Sequence, residues 1–336
     1  MTMKKLHDLK ANENDLELLV RIERATLLSG ANGQNYLILN LVDPSGRLEA
    51  RRWMVNDYDK EHLVPNQYIH LTKAVTSEYR GQLQLKINEY AVLTENDLTK
   101  FGFKSDDFFV KAPLDVEKHY QDFKKLVGGF ENEVYRKVTL HLLKKYEKEF
   151  LRYPAAIFIH HNVHGGLFWH SYTLVKNILA IRDNYSYANI DWELLIAGAI
   201  LHDLGKVVEI NNIGANDYSL EGKLIGHISL GNSQVVQAAH ELGFIDYENG
   251  RQNASVTLLE HLILASHGKH DFGSPVEPHT IEAVILSTFD NLDARIYRTN
   301  EEISKVNLFS WTPKLPSEDN KMFYHHFDKV KAKTKK

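Results

Sequence analysis

The segment "LLIAGAILHDLGK", residues 194–206, decides how this chain is read. Its first eight residues are apolar throughout, the text of a helix buried on every side. His202, Asp203 and Lys206 then close it. Charge in such a setting is costly unless it is paired or bound to a metal. Adjacent helical residues diverge by about 100°. His202 and Asp203 can therefore reach one ion only at a helix end, and Gly205 is expected to supply that end. Lys206 then lies at the same mouth, where a phosphate could use its charge.

The same kind of misplaced residue recurs. His170, His227, His261, His267, Asp290 and Asp293 all sit inside apolar helical text. A lone histidine on such a face is more often a hydrogen-bonded core residue than a ligand. Asp290 and Asp293 could simply pair with Arg295 or Arg298. Burying so many ionisable groups on separate helices of one bundle, however, calls for a shared partner. Imidazole with carboxylate suits Mn²⁺, Fe²⁺, Co²⁺, Zn²⁺ or Mg²⁺ rather than copper or an iron–sulfur cluster. Two such ions ~3.5–4 Å apart would activate a water and neutralise a phosphodiester.

Composition narrows the setting. Of 336 residues, 43% are hydrophobic and 25% charged, the balance of a globular protein of two domains or one with a large appendage. Net charge is 40 − 44 = −4, so any nucleic-acid site must be a local patch. There is no cysteine, which excludes disulfides, thiolate zinc sites and a thiol nucleophile, and fits a reducing cytoplasm. Eighteen histidines then become the place to look for metal ligands. The N-terminus has no apolar stretch long enough for a signal peptide, and no apolar run could span a bilayer, so no membrane partner is expected.

Residues 1–95 read as strands. "LELLVRIERATLLSG" alternates in part, "QNYLILNLVD" follows, and after the turn "DPSG" comes "RLEARRWMV" with near-strict period two; "NDYDKEHL" could be one short helix. "NQYIHLTKAVTSEYRGQLQLKINEYAVL" is two strands joined around Tyr79-Arg80-Gly81. Five strands with a helix between the third and fourth are the order of an OB-fold β-barrel. An SH3-like barrel or a sandwich fragment stays open. Residues 96–115 lose both periods and form a linker, whose Phe101, Phe103, Phe108 and Phe109 suggest that it packs. From residue 116 the pattern is helical to about 315, with one amphipathic helix stopping at Pro154. Residues 316–336 form a tail ending in "KVKAKTKK", basic and solvated. The fold class is α+β: a five-stranded barrel followed by an all-helical domain.

The ordered set "GGLFWH", "ILHDLGK", "EGKLIGH", "SHGK" and "DNLDA" resembles the HD-domain metal-dependent phosphohydrolases. The resemblance implies that His170, His202, Asp203 and Asp290 hold one ion. Asp203 would bridge to a second, carried by His227 and His267. It also implies that Lys206 faces phosphate, with Asp203, Lys206, His227 and His267 as the catalytic group. An OB-like module, a linker and an HD domain with "EGKLIGHISLG" and "SHGKHDFGSP" are together similar to the YhaM-type 3′→5′ exoribonucleases, over residues ~15–310. Relatives often carry His-His where this chain has Ser266-His267, which leaves His267 as the ligand. The resemblance implies two divalent ions, Mn²⁺ first, with Co²⁺, Fe²⁺, Mg²⁺ or Zn²⁺ as alternatives. It further implies trimming of single-stranded RNA, and of single-stranded DNA, to nucleoside 5′-monophosphates, and leaves a homo-oligomer open.

Strand contacts are expected from Arg51 and Trp53, which share a face if "RLEARRWMV" is a strand, and from Tyr36, Tyr79 and Arg80. The alternative is that Trp53 is core and Arg51 solvated. Lys269, in "SHGK", is a further substrate-binding candidate. Residues 1–95 hold 12 Lys+Arg against 13 Asp+Glu, so the barrel should bind weakly and feed the helical domain. Two other functions compete: an HD nucleotide or cyclic-dinucleotide phosphohydrolase, and a non-catalytic single-strand-binding protein.

Overall fold

A computed structural model describes residues 3–30, 33–79, 82–156, 163–211, 217–246 and 251–328. The chain forms two compact units. One holds Met1–Val110 and Glu302–Lys336, the other Lys111–Ile213 and Asp217–Glu301.

The first unit is built on alternation. Strand β1 (Leu16–Ser29) pairs antiparallel with β2 (Asn35–Asp43), and β2 with β3 (Gly46–Trp53). A short helix α1 (Asp57–His62) precedes β4 (Tyr68–Tyr79) and β5 (Gln82–Leu93). β4 pairs with β5 and returns to β1, while β3 runs parallel to β5 through Ala50 and Arg51. The closed order β1-β2-β3-β5-β4 is that of the OB-fold and rules out the sandwich and SH3-like alternatives. Leu18, Val20, Ile22, Leu39, Leu41, Ile69 and Leu71 fill the barrel with the alternate residues of their strands. Asn56 and Asp59 make a reciprocal capping box at α1. Asp59 also accepts from Arg52 and from the Tyr90 hydroxyl, which ties the helix to β3 and β5.

The expected linker is not loose. Helix α2 (Glu95–Lys100) opens it, and a 3₁₀ turn follows at Ser105–Phe108. Phe108 is fully buried with Leu19, Tyr68 and Leu98, and its ring meets those of Tyr68 and Phe103 edge-on. The Arg21 guanidinium lies 4.1 Å from the Phe109 ring centre and donates to the Phe108 carbonyl. Residues up to Val110 thus cluster with the barrel, and so does the chain from Glu302.

The second unit is helical: α3 (Val116–Gly128), α4 (Glu133–Lys145), α5 (Glu147–Arg152), α6 (Gly166–Ile181), α7 (Trp192–Leu201), α8 (Lys206–Glu209), α9 (Leu220–Leu224) and α10 (His227–Glu241). A two-residue strand pair, β6 (Ile245–Asp246) with β7 (Arg251–Gln252), leads to α11 (Ala254–Leu264) and α12 (Ile281–Ser304). The single helix expected before Pro154 divides at Tyr146, whose φ of −112° and ψ of 20° leave the helical region. Helix α7 is the hub: every residue from Leu194 to Leu201 is buried. Its start is capped by Asp191, which accepts from the backbone of Glu193 and Leu194. Gly198 has no room for a side chain, since a Cβ there would lie 2.4 Å from Leu262 of α11. No helix among the described residues is long and apolar enough to cross a membrane.

Candidate metal centre

Helix α7 ends at Leu201, and His202 through Gly205 turn before α8 begins at Lys206. The helix end therefore falls where the His202-Asp203 pair requires it. Gly205 lies at that end, and its φ of −57° is not the left-handed one that favours glycine. It is glycine because α10 crosses it. A Cβ at Gly205 would lie 1.9 Å from the His227 carbonyl oxygen and 2.6 Å from the Gly231 nitrogen. The contact presses the start of α10 onto the turn that carries Asp203.

Three helices, one turn and one loop converge there. His170 comes from α6, His202 and Asp203 from the turn after α7, His227 from the first position of α10, and Asp290 from α12. His267 lies in the loop after α11. His170 and His202 are fully buried, Asp203 is 1% exposed, and His227 and His267 are half-buried. His170 Nε2 lies 3.2 Å from His202 Nε2, 3.1 Å from Asp290 Oδ1 and 3.7 Å from Asp203 Oδ2. His227 Nε2 lies 3.5 Å from Asp203 Oδ1 and 3.4 Å from His267 Nε2. The two oxygens of Asp203 thus face different histidine pairs.

The outer ring nitrogens decide what the inner ones can do. His170 Nδ1 donates to Asp293 at 2.7 Å, and His202 Nδ1 to the Ala199 carbonyl at 3.1 Å. His227 Nδ1 donates to Glu209 at 3.1 Å, and His267 Nδ1 to the Phe272 carbonyl at 3.0 Å. Each of these partners can only accept, so each Nδ1 carries the proton. In the neutral rings every Nε2 then presents a lone pair, and the lone pairs meet in twos beside carboxylates. Only a cation or extra protons can balance that arrangement. Asp203 Oδ1 is moreover buried without a hydrogen-bond partner. Anchoring of the outer nitrogen is how metal-binding histidines are aimed. Two groups, His170–His202–Asp203 and Asp203–His227–His267, could each hold a metal ion.

Proton affinities follow the same logic. Burial works to lower the His202 imidazole, but the Asp203 and Asp290 carboxylates outweigh it and push it up to about 10. His170 is raised for the same reason, against burial, by Asp290 and Asp293. Burial opposes ionisation of Asp203 and Asp290, yet both are held well below the usual carboxylate range. Lys206 and His202 hold Asp203 there, and His170 and His202 hold Asp290. Burial lowers His267. Lys206 is itself buried, with Nζ 2.7 Å from Asp203 Oδ2.

Asp293 and Glu209 complete the centre; the sequence reading counts Asp293 among the misplaced ionisable residues without giving it a ligand role, and misses Glu209. The signal for both was the one used for the others, an acidic residue in apolar text; Asp293 also stands three residues after Asp290, on the same helix face. His261 has the bland role: its Nε2 accepts the His279 backbone N–H at 2.9 Å. Lys269 lines a cavity with His267. On the barrel, Trp53 is not core. It is 41% exposed and stacks on Tyr36 at 4.8 Å, with the Arg51 guanidinium 6.0 Å from its ring centre. Arg51 also makes a long 3.4 Å contact with Glu49. Tyr79 ends β4, but its side chain and all of Arg80 lie outside the described residues.

Residues 167–295 match the model of the HD domain family. That stretch contains all four histidines, Asp203, Asp290, Asp293 and Glu209, and the match indicates a metal-dependent hydrolase in general. A barrel of OB order with an HD domain fits a combined OB-fold and HD architecture. Among solved structures, the second OB-fold domain of replication protein A from Methanococcus maripaludis is similar at 14% identity. The alignment covers 27% of this chain and 93% of that one, with a TM-score of 0.23.

Proposed function

We propose that this protein is a metal-dependent 3′→5′ exoribonuclease, hydrolysing single-stranded RNA, and single-stranded DNA, to nucleoside 5′-monophosphates. The observation that carries the reading is the set of four imidazoles, each with Nδ1 anchored and Nε2 turned onto Asp203 and Asp290. Divalent cations, Mn²⁺ first, would be held by His170, His202, Asp203 and Asp290 and by Asp203, His227 and His267. When bound, they would supply Lewis acidity toward a phosphodiester and lower the pKa of water.

The chain's own groups do the rest. Asp293 and Glu209 keep His170 and His227 in the tautomer that leaves Nε2 free. The buried apolar bed of α7 excludes water and strengthens each charge interaction at the centre. The Lys206 ammonium holds Asp203 ionised and sets a fixed positive charge where a phosphate would arrive. On the barrel, the exposed Trp53, stacked on the half-buried Tyr36 beside Arg51, offers a sequence-tolerant platform for unpaired bases. The 3′→5′ polarity comes from the family resemblance, since ligand spacing does not set it.

The test is a 5′-labelled RNA with a free 3′ end, run beside the same RNA ending in a 3′-phosphate. A ladder shortening from the 3′ end, release of 5′-mononucleotides and resistance of the blocked strand are expected. Internal cuts, or mononucleotides carrying 3′-phosphates, refute the exonuclease. Turnover of free nucleotides alone would establish the nucleotide phosphohydrolase instead. Strand binding that survives chelation, with no turnover under any divalent metal, would leave a binding protein.

A further inference from the structure

Beside the centre lies a cavity of about 440 Å³, lined by His267, Lys269, Phe272, Glu277, Ser287 and Asn291 among others. That is within the range of about 300–1,000 Å³ typical of small-molecule pockets. One wall is the loop after α11. Gly268 takes a left-handed φ of +80° there and presses against Ser287, whose Cβ would lie 3.3 Å from a side chain at that position. His267 ties the loop down twice more, through its backbone N–H to Ser274 Oγ and its Nδ1 to the Phe272 carbonyl. The bond that aims His267 Nε2 at the centre therefore also fixes where the Phe272 ring stands. That ring is 55% exposed.

The other wall is one stripe of α12. Val284, Ser287, Thr288 and Asn291 recur at helical spacing, and Asn291 directly follows Asp290. The Ser287 and Thr288 hydroxyls both donate to the Val284 carbonyl, which leaves their oxygens as acceptors. The cavity thus shares His267 with the centre and borders the helix that carries Asp290.

We propose that this cavity is the subsite for the terminal nucleoside of the strand, with Phe272 stacking on its base and Asn291 and Glu277 hydrogen-bonding its base edge and ribose hydroxyls. The proposal rests on the phosphodiester reading above and names where that substrate is gripped. The lining fits a nucleoside better than a bare anion. An exposed aromatic face with an ammonium 6.0 Å from its centre (Lys269) offers a flat π-system a seat. Glu277 would repel a free phosphate but accepts from ribose hydroxyls, as carboxylates in nucleotide sites do.

The experiment measures binding of AMP and of inorganic phosphate to the Mn²⁺-loaded full-length protein by calorimetry. It compares the wild type with Phe272→Ala and Phe272→Trp, and records bound manganese for each. Phe272→Ala should weaken AMP roughly ten- to hundred-fold, the worth of one aromatic–base stack. Phe272→Trp should restore it, while phosphate affinity and metal content match the wild type in both, because the carbonyl that anchors His267 is backbone. Unchanged AMP affinity in Phe272→Ala overturns the subsite. An equal loss for phosphate also overturns it, since the loop would then be acting through His267. Oligoribonucleotide cleavage separates the two readings. A wild type that cuts, with the KM of Phe272→Ala unchanged, sinks the subsite alone. A wild type that cuts no strand yet binds AMP through Phe272 sinks the exonuclease and keeps the subsite.

Discussion

Gly205→Ala adds one methyl group and should disable the centre without touching any ligand. The new Cβ would stand 1.9 Å from the His227 carbonyl oxygen, where ordinary contact begins at 3.4 Å, so the turn and α10 must part by 3.4 − 1.9 = 1.5 Å. The obstacle is backbone, with Gly231 N 2.6 Å away, so no side chain can swing aside to make room. His227 starts α10 and moves with it, away from Asp203 at 3.5 Å and His267 at 3.4 Å. Overpacking of this kind costs about 1–3 kcal/mol. In a unit of this size that is a melting temperature lower by about 2–12 °C. A displacement of about 1 Å at reacting groups can cost on the order of 100-fold in rate. Thermal melts and oligoribonucleotide turnover at saturating Mn²⁺ read the two effects. The clash is with the backbone of His227 itself, so metal should be lost first from the His227–His267 half. A Gly205→Ala protein with wild-type melting and turnover would refute the packing argument.

Asp293→Ala, which removes the partner of His170 Nδ1, should weaken metal binding about 10–100-fold in a competition with a chelator; wild-type affinity would strip Asp293 of that role. Trp53→Ala should weaken binding of a long single strand by about ten-fold, read by fluorescence anisotropy, because Trp53 is the exposed ring of the stack with Tyr36. Equal affinity would return Trp53 to a purely structural reading. Mn²⁺ at a hundred times its dissociation constant should stabilise the helical unit by about 2.7 kcal/mol and raise its melting by about 5–11 °C. An unmoved transition would mean that the centre takes no such ion.

Much of this was legible because burial and charge conflict so visibly in the chain. The barrel was readable from the order of its strands and the near-strict alternation of "RLEARRWMV", while β1 alternates only in part because Leu19 and Arg21 are buried on its second face. His202-Asp203 was readable as a helix end because two adjacent residues cannot otherwise converge. Why residue 205 is glycine was not legible, because a glycine after a helix has two physical causes, a left-handed backbone or a close neighbour. Only the position of α10 tells them apart. The break at Tyr146 was invisible because "LHLLKKYEKEFL" keeps its helical period across it. Phe272 and Asn291 escaped notice for another reason. An exposed aromatic and an amide carry no conflict in sequence, and become a site only when a loop and a helix stripe enclose a space.

The centre's two halves are unequal, and the inequality predicts an order of filling. His170 and His202 are fully buried and have two carboxylates beside them, Asp203 and Asp290. His227 and His267 are half-buried; Asp203 meets His227 through its opposite oxygen, and Asp290 and Asp203 both bear on His267. Lys206 works against a cation on the first side, since its ammonium sits 2.7 Å from Asp203 Oδ2. Asp290 offsets that single charge, whereas the carboxylate on the second side, Glu209, is taken up by the backbone N–H and Nδ1 of His227. Fewer anionic ligands and freer access to water make the second half the weaker and the faster to exchange. Titration of metal-free protein with Mn²⁺ should therefore show two steps, and a mild chelator should empty the His227–His267 half first. Asp290→Asn removes the extra charge and should bring the two steps together. A single step in the wild type, or steps that stay apart in Asp290→Asn, would show that burial and carboxylate count do not rank the halves.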